Sequence, residues 1–470
     1  MYNQQMDLAN APPYGNQPVT CHNYPDGLHL SVLILQVEYR KSSYWSRPCT
    51  PNFRAVGAAV FAHFIVGNAW NYTLTDWEED MTLAQEAHID AFALNMGYGD
   101  SSTATQAGLA FEAANKVGFK LFFSFDYEGG TGAWPKPAII TYLQKYASNS
   151  AHYKYNGKPF TIKSEIDCFF VPDWSSLGAE GAYQAGGGGI VDGLFSWGAW
   201  SSGPNNMSNS TDLTYFNLDI PYMMPAFPWF YTNLASYSKN WLWRGDSLWH
   251  DRWEQIWDFH YIGPICEDAL SLMTTGGAPL NYIENMPHDG WRDLLAFAID
   301  TYVSGNATLG DEGVVTWYRP NPSEACGTGG NTGNTASEGQ TLYPPAEVAQ
   351  NKIFYSAMLH SHANVTITVC EKSLGATWDR YGRNGGAGLY HGGVEYGSAT
   401  GKVVVSITRD GETLASVAGE SIKATCVSDL SNWNAWGDSS RRRPCRTTQA
   451  SSEVSGGESL TLYIAHHSPT

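Results

Sequence analysis

Basic residues are scarce in this 470-residue chain: 27 Lys and Arg stand against 45 Asp and Glu, and the dense basic run is confined to Arg441–Arg443. The electrostatic footprint of a nucleic-acid binder is therefore missing, and the expected partner is neutral or cationic. Residues 1–27 hold no Lys or Arg, so the basic lead of a signal peptide is absent. The apolar run that follows, 28–37, is too short to cross a bilayer, and no membrane partner is expected. Eight cysteines (Cys21, Cys49, Cys168, Cys266, Cys326, Cys370, Cys426, Cys445) show no CxxC or Cys/His spacing, which argues against zinc and against a thioredoxin-like site. A few disulfides of open pairing are expected instead, with no metal or organic cofactor.

What the chain does have is aromatic surface. Charged residues make up 15% and aromatic residues 14%, with 18 Trp and 27 Tyr, a balance suited to neutral polyhydroxylated ligands whose C–H faces stack on rings. The plain alternative is that these rings fill the core. Sequons at Asn71, Asn206, Asn209, Asn306 and Asn364 would accept N-glycans in a secreted or cell-wall protein.

Three segments repeat at roughly the period of one βα unit: 59–64 (AVFAHF), 89–95 (IDAFALN) and 119–126 (FKLFFSFD). Between them, 75–88 and 103–117 carry apolar residues at helical spacing. Thr75 is the expected N-cap of the first helix, with Glu78 as its capping-box partner, and Gly118 ends the second. Further strands are expected at 158–162, 168–173, 191–197 and 222–227. The expected fold class is α/β, a (β/α)₈ TIM-type barrel over 55–310 that is one strand short. Seven strands would leave two unpaired edges, which keeps a misfolding product among the readings.

Residues 1–54 are expected to be an irregular N-terminal segment, explained by a misplaced start site. After a helix at 290–303, the character changes. Strands at 314–319, 363–370, 402–408 and 460–465, with Asp410-Gly411 as a hairpin turn, predict a C-terminal β-sandwich-like domain over 311–470. The polar stretch 428–455 is expected to be loosely ordered.

Barrel enzymes react at the C-terminal ends of their strands, so the residues closing each run become the candidate site: His63, Asn95, Asp126, Asp173, Trp197 with Trp200, and Trp229. Carboxylates and amides bond hydroxyls, and tryptophans stack on sugar rings. Each of these residues alone has an even chance of being a satisfied polar group or a core ring; the set together points to a carbohydrate groove.

The segments VFAHFIVGNAW (60–70), GFKLFFSFDY (118–127), FFVPDWSSLG (169–178), VDGLFSWGAW (191–200), PYMMPAFPWFYT (221–232), KNWLWRGDSLWHDRWEQ (239–255), HYIGPI (260–265) and MPHDGWRDL (286–294) resemble glycoside hydrolase family 71, the fungal endo-1,3-α-glucanases or mutanases. The resemblance implies a secreted, monomeric hydrolase that cleaves α-1,3-glucan of cell walls or biofilm by an inverting two-carboxylate mechanism, with His260 and Tyr261 joining the substrate site. In the family, the helix matching RWEQ is followed by a strand ending Trp-Asn-Asp-Tyr-Gly-Glu-Ser; here residues 252–259 (RWEQIWDF) pass straight to His260. The carboxylate pair that the resemblance marks as catalytic is thus missing, which implies impaired hydrolysis. It leaves Asp126 and Asp258 as weak catalytic candidates, and a non-catalytic glucan-binding protein or the product of a faulty gene model as the alternatives. A second loss falls between Phe160 and Phe169, so Glu165 cannot be equated with an acid of the family.

Overall fold

In a computed structural model, the structure describes residues 31–36 and 59–441 except 162–167, 187–189, 199, 201–202, 228, 230, 238, 245–247, 249–251, 253–269, 305–306, 328–340 and 380–385. The fold is mixed α/β.

Strands β1 (Ser31–Gln36), β2 (Ala59–Ile65), β3 (Ala91–Tyr98), β4 (Leu121–Gly130), β5 (Lys154–Tyr155), β6 (Lys158–Thr161), β7 (Phe169–Phe170), β8 (Leu194–Phe195) and β9 (Tyr222–Ala226) form one sheet. The pairs β2–β3, β3–β4, β4–β6, β6–β7 and β8–β9 are parallel, and a parallel bridge from Asp173 to Phe195 links the β7 side to β8. β1 lies antiparallel between β9 and β2, in register Ser31 to His63 on one side and Val32 to Ala226 on the other. The cycle of pairings therefore returns to its starting strand. Two expectations are corrected here. Residues 1–54 contain a folded element, and the expected unpaired edges of β2 and β9 are both covered by it, because exposed ladder groups on either side give an apolar segment two partners at once.

Residue parity separates two layers. Ala59, Phe61, Ala91, Ala93, Phe122, Phe169, Val171, Phe195 and Met223 share one small core inside the cycle. Val60, Ala62, Phe92, Leu94 and Phe123 face outward, where they pack with helices α1 (Leu74–Glu86), α2 (Thr103–Val117) and α3 (Lys136–Tyr146) in the main core. This alternation on a parallel sheet covered by helices explains why the strands read as unbroken apolar runs.

Helix α1 begins two residues earlier than its sequence suggests. The N-cap is Thr73, not Thr75, and its box partner is Asp76, whose carboxylate accepts from the Thr73 backbone N at 2.7 Å. Both spacings satisfy the capping-box pattern. Tyr72 packs on Trp77 with ring centroids 5.4 Å apart, and this staple across the first turn selects Thr73. Helix α2 ends at Gly118 in the left-handed region at φ 80°, as expected of a glycine in that place. The single helix expected over 290–303 is instead two, Asp289–Arg292 and Leu295–Ser304. Gly290 in the first lies so close to the backbone of Asp438 that a Cβ would sit 2.9 Å from it.

A hairpin of β10 (Tyr231–Leu234) and β11 (Lys239–Leu242) precedes the C-terminal part. There, β12 (Gly313–Tyr318), β13 (Lys352–Leu359), β16 (Gly388–Glu395) and β19 (Trp436–Ser439) form one antiparallel sheet. A second joins β14 (Asn364–Val369), β15 (Lys372–Leu374), β17 (Gly401–Arg409) and β18 (Glu412–Ile422). The two contribute to one core, in which Tyr318, Ile353 and Tyr355 join Ile367, Val405 and Val417. Asp410 and Gly411 have φ of 54° and 87°, the two-residue turn that the sequence predicts. The expectation that 428–455 is loose is corrected for β19, which is buried because it pairs with β12. The expected strand at 460–465 lies outside the described residues.

Candidate functional site

Parity carries the interior layer upward to the C-terminal ends of the strands. His63 follows Phe61, Asn95 follows Ala93, Asp126 follows Phe122 by two pleats, Asp173 follows Val171, and Trp197 follows Phe195. Each therefore lies on the inner face of its strand at the same mouth. Five of the expected residues are brought together in this way.

The mouth has three chemically different walls. On the β2–β3 side stand His63, which is buried, and half-buried Asn95. Burial drives the His63 imidazole down to about 3, so it is neutral at any working pH, and its ring meets Trp197 edge-on at 4.9 Å. On the β8–β9 side, Trp197, Trp200 and Phe227 form an edge-to-face cluster with centroids 4.7–6.3 Å apart. Trp243, just beyond β11, extends this cluster at 6.3 Å from Trp200.

The third wall is acidic. Asp126 is half-buried and accepts from the Gly129 backbone N at 2.9 Å. Asp173 is exposed to solvent. It accepts from the backbone N of Ser175 at 3.0 Å and from its hydroxyl, and that hydroxyl accepts from Trp197 N at 2.6 Å. The surrounding protein raises the Asp173 carboxyl above the ordinary carboxylate range against the Ser175 hydrogen bonds, and the charge of Asp126 adds to the rise.

Trp229 departs from expectation. It is buried in the main core, near-parallel to Trp291 at 6.4 Å and beneath the Arg319 guanidinium at 4.3 Å, so it belongs to the packing under the C-terminal sheet and not to the groove. The physical reason is that the chain turns away after Phe227 to enter the β10–β11 hairpin. Asp258, His260 and Tyr261, together with Glu165, lie outside the described residues. Trp243 and Ser175 were missed by sequence reasoning. A Trp-x-Trp alternation in 241–243, with Trp241 buried and Trp243 half-exposed, was the available signal for the first; Ser175 had none. Among the described residues, no group of three or more His, Cys, Asp or Glu could hold a metal ion.

Against known proteins, residues 57–449 match the profile of glycosyl hydrolase family 71. A mutanase of Penicillium rubens is 33% identical over 411 residues, covering 78% of this chain and 86% of the relative. A glucan endo-1,3-alpha-glucosidase of Schizosaccharomyces pombe is 32% identical over 427 residues, covering 80% and 92%. Among solved structures, a GH99 endo-alpha-mannosidase from Bacteroides thetaiotaomicron aligns over 29% of this chain and 45% of its own at 15% identity and a TM-score of 0.22, too slight to bear on fold or function.

Proposed function

The chain belongs to glycosyl hydrolase family 71, and from that premise we propose that it hydrolyses α-1,3-glucosidic bonds in cell-wall or biofilm glucan. The observation that carries this reading is the mouth itself: neutral His63, an amide, two carboxylates and a tryptophan wall converge on one end of the sheet. Such a surface suits a neutral chain of pyranose rings, which need hydroxyl partners and flat aromatic faces but no counter-charge. We read the closed cycle of pairings as a (β/α)₈-type barrel in which β1 takes the eighth place, and the C-terminal sheets as sandwich-like. A secreted or cell-wall setting fits this reading, since the sequon residues Asn71, Asn206 and Asn364 are exposed. No helix among the described residues is long and apolar enough to cross a membrane.

Purified 470-residue protein incubated with insoluble α-1,3-glucan, β-1,3-glucan and starch tests this. Reducing ends should appear from the first substrate alone; release from β-1,3-glucan or starch instead would refute the specificity. A second reading, a glucan-binding protein without turnover, is favoured by the direct run from Gln255 to His260, where the family's carboxylate-bearing strand is missing. Retention on α-1,3-glucan with no sugar released would select it.

A further inference from the structure

We propose that Asp173 and Asp126 act as the acid–base pair of this chain, Asp173 protonating the departing oxygen and Asp126 taking a proton from the attacking water. The proposal rests on the hydrolytic reading above and supplies the two carboxylates that the loss around residues 255–260 removes.

Register relates the positions of the two groups. Phe123 pairs with Thr161, and Thr161 pairs with Phe170, so these three residues lie at one level of β4, β6 and β7. Asp126 and Asp173 each stand three residues further along the chain from that level, Asp126 on β4 and Asp173 just past β7, where it bridges to Phe195. Strands are ~4.8 Å apart, so at that level β4 and β7 are separated by on the order of 9–10 Å. Inverting hydrolysis asks for carboxyls ~6.5–9.5 Å apart, with room for a water between them, and the charge of Asp126 is felt at Asp173, which puts the two within electrostatic reach.

The surroundings divide the roles. Asp173 is held at the strand end by its bridge to Phe195 and by the Ser175 N–H and hydroxyl, and the neighbouring charge of Asp126 favours its protonated form, which suits it to the acid's place. Asp126 is fixed on one oxygen by Gly129 N, and a Cβ at Gly129 would fall 2.8 Å from its other oxygen, so a side chain there would displace the carboxylate. Three other carboxylates of this part of the fold are committed elsewhere. Asp90 accepts from Val60 N at the opposite end of the strands, Asp192 accepts from Phe170 N, and Asp212 is held in a buried ion pair with Arg252 at 2.9 Å.

In the step itself, the bond from C1 to the bridging oxygen breaks, and its electron pair leaves on that oxygen, which takes the Asp173 proton. The water oxygen bonds to C1 from the opposite face and gives its proton to Asp126, and solvent exchange restores both groups. No oxidant or metal is needed.

The test uses the full chain, Asp173→Asn and Asp126→Asn, with melting temperature and retention on α-1,3-glucan as checks of fold and groove. On the polysaccharide, each variant should lose on the order of 10²–10⁴-fold in kcat. On an α-1,3-linked disaccharide carrying a dinitrophenyl leaving group, which departs without protonation, Asp173→Asn should recover most of its rate and Asp126→Asn should not. Wild-type turnover with both variants active on glucan overturns the pair and leaves the hydrolytic reading standing. Equal loss on both substrates in Asp173→Asn overturns its role as acid. No turnover by the wild type refutes the hydrolytic reading and the pair with it.

Discussion

Trp200 and Trp229 show how little a residue type says without its direction. Both close an apolar run and both sit in aromatic-rich sequence. Trp200 is half-exposed beside Trp197 and Phe227 at the mouth, whereas Trp229 is 6% exposed and stacked on Trp291 beneath Arg319. Their alanine variants should therefore fail differently. Trp200→Ala is expected to weaken retention on α-1,3-glucan by ~1–3 kcal/mol with the melting temperature unchanged. Trp229→Ala should cost ~3–5 kcal/mol of stability, with retention per folded molecule unchanged. Equal behaviour of the two in paired melting and retention assays would contradict the assignment. His63, Asn95, Asp126, Asp173 and Trp197 were legible because period-2 alternation fixes which side of a strand a residue occupies. Trp229 was not, because the chain after Phe227 leads into the β10–β11 hairpin and the ring packs on Trp291 beneath Arg319, contacts that local alternation does not reveal.

At the level of elements, the central strands and α2 were readable from apolar runs and a terminal glycine, and the start of α1 was missed only because two capping boxes overlap. The buried side of α1 also carries Asp80, whose carboxyl is pushed up to about 7, first by burial and then by Asp76 and Glu79, against a hydrogen bond from Tyr72 at 3.0 Å and the charge of Arg292. An unfolded aspartate titrates near ~3.9. Between the two values the folded chain binds more proton than the unfolded one, so this contribution to stability is full below about pH 4 and is lost as pH rises through about 7. Asp80→Asn keeps an acceptor for Tyr72 and removes the titration. Its melting temperature should gain on the wild type steadily from pH 4 to pH 8; parallel curves would show that Asp80 titrates normally.

Across the whole molecule, two long-range ties decide whether the parts hold together, and neither was legible. Cysteine spacing left pairing open, and the structure joins Cys326 to Cys426 across 100 residues of sequence, tying the loop after β12 to the segment after β18. Replacing both by serine should cost ~2–5 kcal/mol, because a long loop is released in the unfolded chain. The second tie is β1. Read locally, residues 28–37 are an apolar run stranded in polar sequence; strand counting left two edges without a neighbour, and nothing short of the topology reveals that this run pairs with both. Its central residues Leu33 and Ile34 pair with Phe61 and Val60 on one side and with Pro225 and Met224 on the other. A proline at Ile34 removes a ladder donor from the middle of a strand flanked on both sides and should destabilise by ~3 kcal/mol or more. Deletion of residues 1–37 would expose both edges together. The shortened protein should melt earlier and self-associate through those edges, read by light scattering during the melt. If it instead melts like the full chain and stays monomeric, β1 does not close the sheet.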